Sequence, residues 1–153
     1  MAVITNILSR ADGQDILPIL APYLELSGKT NSGSYIGVFR HDLIVPRTFQ
    51  IKTKKSDIGG VPLSIPVYEN LNEFFQVCDW HAKNWGSWSL GGVLTADRDE
   101  LVFDTRNGEP RPIIQHLADL YKIELKLISS WEGKGCEDVK PIIFRPNTNC
   151  IQL

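Results

Sequence analysis

Several things are scarce in this chain, and each scarcity excludes something. Cysteine occurs three times, at Cys78, Cys136 and Cys150, an odd count without close pairing. Such spacing offers no disulfide framework and points to a reducing compartment, so the expected location is the cytoplasm. No apolar run approaches the roughly 20 residues that a membrane span needs. The opening Met1-Ala2-Val3-Ile4-Thr5-Asn6 lacks the basic and apolar regions of a signal peptide. A surplus of one charge is missing too, since 16 Lys and Arg stand against 18 Asp and Glu. That balance argues against attraction of the whole surface to nucleic acid or an anionic membrane. No serine sits in a strained Gly-x-Ser-x-Gly turn. Gly28-Lys29-Thr30 lacks the first glycine of a phosphate-binding loop, because the residues ahead of it read as helix. There is no internal repeat and no low-complexity tract.

What is present is the composition of one globular domain. At 153 residues, with 42% hydrophobic and 22% charged side chains, the chain is large enough to bury a core. Asn84-Trp85-Gly86-Ser87-Trp88 is the stretch the rest is arranged around, with Trp80 just ahead of it. Before it, Asn70 and Glu73 fit a capping box. Leu71, Phe74, Phe75, Cys78, Ala82 and Trp85 then recur at helical spacing, which predicts a helix over 70–83. Gly86 ends it. The predicted core is Trp80, Trp85, Trp88, Phe74 and Phe75, because aromatic rings bury the largest apolar areas.

Around this stretch the pattern is strand, helix, a long connection, then hairpin, helix and strand. Ala2 to Leu8 reads as a strand and Asp15 to Leu26 as a short or kinked helix carrying Pro18 and Pro22. Ser27 to Ser34 reads as a loop, Tyr35 to Phe39 as a strand, and Gly59 to Pro66 as an extended connector. A hairpin follows from Trp88 to Asp104 around Ala96-Asp97-Arg98-Asp99. A helix over 112–121 with Ile113, Leu117 and Leu120 inward comes next, then an alternating strand over 123–129 and a short last strand over 141–144. Without the insertion at about 27–69, the expectation is α+β. The plan is ferredoxin-like βαββαβ, a four-stranded antiparallel sheet with two helices on one face.

The motif order is that of a known group. Thr5-Asn6-Ile7-Leu8 opens the chain, and a Phe…Ile-x-Pro segment runs from Phe39 to Ile44-Val45-Pro46. A helix then runs into Asn84-Trp85-Gly86, followed by Phe103-Asp104-Thr105 and by Pro110 and Pro112 ahead of the second helix. In this the chain resembles the phage- and plasmid-borne proteins that carry an Api-type ferredoxin-like domain. It departs from them in two places. Ala2-Val3-Ile4-Thr5 stands where that family has Pro-Asn-Trp-Cys, and Arg106-Asn107 where it has a Trp. The resemblance implies the fold and a mobile-element origin, and no reaction.

Chemistry-bearing residues fall into a few groups. Arg40, Arg47, Lys52, Lys54 and Lys55 form the one basic run, opposed only by Asp42. They make a candidate nucleic-acid surface or a set of edge charges that block strand pairing. Asp97, Asp99, Glu100 and Asp104 crowd the hairpin, as a candidate partner-binding set or an ordinary charged tip. Cys78, His81, Cys136 and Cys150 are poorly spaced for zinc. His41-Asp42 and His116 with Asp119 are base-and-orienter pairs on paper only, and Trp80 and Trp88 lack the motif of base-stacking RNA binders. The resulting expectation is a binding protein acting in a host cytoplasm. It has no metal, cofactor, membrane anchor or catalytic residue, and it occludes a host protein such as a defence complex in the anti-CRISPR manner. The alternative is a nucleic-acid-binding or nucleotide-binding module using the basic run, and a small enzyme is third.

Overall fold

The computed structural model describes residues 2–58, 60–89, 91–131 and 139–147. Its strands and helices follow in the order β1 (Val3–Arg10), α1 (Leu17–Leu20), β2 (Leu24–Lys29), β3 (Tyr35–Phe39), α2 (His41–Ile44), β4 (Thr53–Ile58) and β5 (Val61–Pro66). Then come α3 (Leu71–Trp85), β6 (Gly91–Ala96), β7 (Leu101–Arg106), α4 (Arg111–Tyr121), β8 (Leu125–Trp131) and β9 (Ile142–Phe144). The protein is therefore α+β, with an open sheet whose described strand pairings are all antiparallel.

Alternation along the strands decides which way the sheet faces. Ile4, Asn6 and Leu8 on β1 are buried, as are Leu101, Phe103 and Thr105 on β7 and Leu125, Leu127 and Ser129 on β8. The residues between them are half-buried or exposed, the period-two signature of a sheet covered on one side. The covered side takes the main core, where Leu8, Phe39, Phe103, Leu125 and Leu127 meet Trp85 of α3 and Ile113, Ile114 and Leu117 of α4. Asn6 is the polar member of this face. Its amide donates to the Phe103 carbonyl at 3.2 Å and to Thr105 Oγ1 at 3.0 Å, and its oxygen accepts from Ser129 Oγ at 2.7 Å. A buried amide so fully paired ties three strands together without a desolvation penalty left over.

The strand order is β2-β3-β6-β7-β1-β8-β9, so the main sheet has seven strands rather than the four expected. The extra strands have local causes. The expected helix over 15–26 stops after one turn at Leu20 and a 3-10 turn at Ala21–Tyr23, because Pro22 cannot continue it. Leu24 to Lys29, read in part as loop, becomes edge strand β2. Ser27, Gly28 and Lys29 are solvated there, which is why that part of the strand carries no apolar signal. The expected connector 59–66 supplies β5, which pairs with β4 as a separate hairpin. Val61, Leu63 and Ile65 of this hairpin pack on Val38, on the sheet face away from the main core.

Two apolar assignments fail. Leu71 and Phe75 of the predicted stripe are 71% and 49% exposed, so Phe75 is not a core residue. The buried side of α3 is instead Val77, Cys78, His81 and Trp85, all from Val77 onward. Leu120, predicted inward, is 56% exposed. The inward side of α4 is Ile113, Ile114, Leu117 and Ala118. Phe74, Trp80 and Trp88 are half-buried, and only Trp85 is fully enclosed.

Candidate functional site

The end of α3 concentrates the histidines. Asn70 Oδ1 caps the helix start by accepting from the Glu73 amide at 2.9 Å, and Gly86, at φ 87°, closes its end. That stop carries Trp85 and His81, four residues apart, onto one side. Their rings stack at 4.0 Å, with 10° between planes. Arg47, from the segment after α2, donates from Nε to His81 Nε2 at 2.8 Å and lies 4.9 Å from the Trp85 ring. An arginine can only donate, so Nε2 is the acceptor and the proton sits on Nδ1, which donates to the Trp88 carbonyl at 2.8 Å. Burial pushes the His81 pKa down to about 4, the Trp88 carbonyl opposes this, and the Arg47 charge adds to it. Both nitrogens are occupied, so His81 has no lone pair free for zinc or for proton abstraction.

His41 lies deeper, edge-on to Phe39, Trp85 and Phe103 at 5.1–6.0 Å. It is fully enclosed, and neither ring nitrogen has a hydrogen-bond partner among the described residues. Burial drives its pKa down to about 3 and the His81 charge adds to this, against the opposing pull of Asp42 and of the nearby Ser89 backbone, which falls short of a full hydrogen bond. Asp42 does not orient it. That carboxylate receives Arg40 Nε and Nη2 at 2.8 and 2.7 Å. Burial would raise the Asp42 pKa, but the Arg40 hydrogen bonds and charge outweigh it and hold the carboxyl low. The paper dyad His41-Asp42 is thus two separate structural groups. His116 is exposed, and Asp119 accepts from Gln115 and from the Asn147 amide. Cys78 is buried, and burial raises its thiol pKa, whereas Cys136 and Cys150 fall outside the described residues.

The structure splits the basic run. Arg40 is bound to Asp42 and Glu25, and Arg47 to His81. Lys52 pairs with Glu69 at 2.8 Å across an exposed gap, and Lys54 and Lys55 point to solvent from β4. No shared basic face results from these five.

The acidic set is better assembled. Asp97, Asp99 and Glu100 are all exposed at the β6–β7 tip, where with Arg98 they line a shallow concavity of about 550 Å³. Asp104 is apart from them, on the uncovered sheet face, accepting from Thr5 Oγ1 at 3.1 Å. Three bonds anchor the tip: the Asp97 amide to the Glu100 carbonyl at 3.0 Å, Ser34 Oγ to Asp97 Oδ1 at 2.7 Å, and the Ile16 amide to the Arg98 carbonyl at 2.9 Å. No protein-family model, curated protein or solved structure matches the chain. The site therefore has to be judged on its own chemistry.

Sequence reasoning missed one feature. Phe49, Ile51, Val77 and Trp80 line a groove of about 550 Å³ between α3 and the segment 49–52, rimmed by Glu73, Gln76, Lys52 and Glu69. The signal was the i, i+4, i+7 set Glu73, Val77 and Trp80, obscured because Trp80 was assigned to the core. No helix among the described residues is long and apolar enough to cross a membrane.

Proposed function

We propose that the chain is a small binding protein that occludes a protein target through its acidic hairpin tip, with no reaction of its own. The observation that carries this reading is the anchored tip itself. Asp97, Asp99 and Glu100 are exposed, yet the tip is tied to the rest of the fold by the Ile16 amide on the Arg98 carbonyl and by Ser34 Oγ on the Asp97 carboxylate. A charged surface held in place loses little freedom on binding, and its charge complements a basic partner. The groups that would serve catalysis are spent elsewhere: His81 on Arg47 and Trp88, Asp42 on Arg40. The exposed Leu71 and Phe75 add apolar surface of the kind that partners cover.

The fold is read in the same way. The order β6-β7-β1-β8 with α3 and α4 supports a ferredoxin-like centre, to which β2, β3 and β9 add edges. The resemblance to phage- and plasmid-borne proteins then points to a host defence complex, such as a CRISPR effector, as the target, and to the host cytoplasm as its place.

The test reverses Asp97, Asp99 and Glu100 to Lys in one variant and Lys52, Lys54 and Lys55 to Glu in another, each first shown to be folded. Pull-downs from bacterial lysate run with and without nuclease. A partner that survives nuclease and is lost only with the acidic variant is the expected result. Loss only with the lysine variant, together with co-purified nucleic acid, would replace this reading by the nucleic-acid one.

A further inference from the structure

The groove between α3 and the segment 49–52 shares no lining residue with the acidic tip. Its floor is Ile51 and Val77, and its walls are Phe49 and Trp80, whose rings meet edge-on at 5.4 Å and 82°. Glu73, Val77 and Trp80 share one side of α3, since residues four and seven apart fall in line. The facing segment is pinned by the Val67 amide, which donates to the Lys52 carbonyl at 2.8 Å. The two rings touch nearly at a right angle and form one corner of the groove. A volume of about 550 Å³ is in the range of small-ligand sites.

Its charge selects the ligand. Lys52 is taken by Glu69 at 2.8 Å, whereas Glu73 has no ion-pair partner among the described residues. Arg47 is held over Trp85 and does not line the groove. What remains is one half-buried carboxylate beside two aromatic rings over an aliphatic floor. An anion would be repelled there, and a neutral apolar guest would desolvate Glu73 without compensating it. A metal ion would find Glu73 as its one unpaired carboxylate, and no group of three His, Cys, Asp or Glu ligands gathers among the described residues. A cation whose charge is spread over methyl groups meets all three surfaces, because it loses little hydration and is attracted to aromatic faces.

We infer that this groove binds a methylated ammonium group, with Trp80 and Phe49 as the aromatic walls and Glu73 as the counter-charge. Two sources carry that chemistry: a free quaternary amine and a trimethylated lysine on a protein. Titration of the full chain by NMR, following the Trp80 indole N–H, separates them. The probes are choline, its neutral isostere 3,3-dimethylbutan-1-ol, and a short peptide bearing trimethyl-lysine.

The expected result is saturation by choline or the peptide in the millimolar range or tighter, with the neutral isostere at least about tenfold weaker. A peptide that binds more tightly than choline assigns the source to a protein tail. Equal or weaker binding of the peptide assigns it to the free amine. Glu73→Gln should weaken the cation about tenfold and leave the isostere unchanged, and Phe49→Leu, which keeps the Trp80 indole N–H as the reporter, should also weaken the cation. Gln76→Glu adds a rim charge and should tighten the cation a few-fold without touching the core. Absence of saturation by both cations up to about 20 mM overturns the assignment, as does equal binding of cation and isostere.

Discussion

At the scale of residues, the enclosed end of α3 sets both stability and its dependence on pH. Trp85 has no exposed surface, stacks on His81, and donates its indole N–H to the Val45 carbonyl at 2.8 Å. Trp85→Ala should cost about 3–5 kcal/mol in a urea melt, from the cavity and the carbonyl left unpaired. Gly86 is equally constrained, since a Cβ there would overlap the Glu109 carbonyl while the backbone sits at φ 87°. Gly86→Ala should cost roughly 2–4 kcal/mol by the same measurement. The two histidines act through protons. Their folded pKa values of about 3 and about 4 lie below the unfolded value of 6.5, so the unfolded chain binds more protons on acidification. Their penalty is absent above about pH 6.5 and grows as pH falls towards the folded values, reaching on the order of 2 kcal/mol per histidine at pH 5. His41→Phe, which fills the same aromatic box without a titrating group, should remove about half of that slope between pH 6.5 and 4. An unchanged slope would mean that His41 is hydrated or paired in solution.

At the scale of elements, α3 shows how local signals and packing divide the work. The Asn70 cap and the Gly86 stop were legible because each depends on one residue type at one backbone position. Asn70→Ala should lower stability by about 1 kcal/mol, read by denaturant titration, and Asn70→Ser should restore most of it. Which side of the helix faces inward was less legible. The apolar spacing from Leu71 to Trp85 gave the correct period, but it could not say that the turns ahead of Val77 contribute no buried residue. Leu71 and Phe75 are therefore exposed, and His81 takes an inward place beside Trp85. The hairpin tip shows the same division. Its charges were visible in sequence, whereas the Ser34 and Ile16 anchors that hold it come from segments about 60 and 80 residues away.

At the scale of the molecule, the charge arrangement predicts how binding should respond to salt. The net charge is only −2, but Asp97, Asp99 and Glu100 are exposed together at the tip joining β6 and β7. Association with a basic partner should slow on the order of tenfold between about 0.05 and 0.5 M salt, with a smaller change in the dissociation rate. Surface-resonance kinetics with the captured partner would show this. A rate that does not depend on salt would shift the contact to the apolar surface at Leu71 and Phe75.

The sequence alone determined the mixed α+β class, the main helix with both its ends, the opening strand and the strand Tyr35–Phe39. These follow from short-range periodicity and from single residues with strong backbone preferences. Tertiary structure decided what each chemical group is for. Arg40 and Arg47 read as part of a basic surface, but folding brings a carboxylate and a histidine to them and removes them from it. His41 next to Asp42 read as a pair, but the strand-to-helix turn encloses the ring and hands the carboxylate to Arg40. Trp80 read as core, but folding leaves it half-buried, with Phe49 edge-on at 5.4 Å and a groove beside the pair. Apart from Arg40 with Asp42, two residues away, such outcomes depend on pairings between residues distant in the chain, such as Arg47 with His81, and no local pattern encodes them.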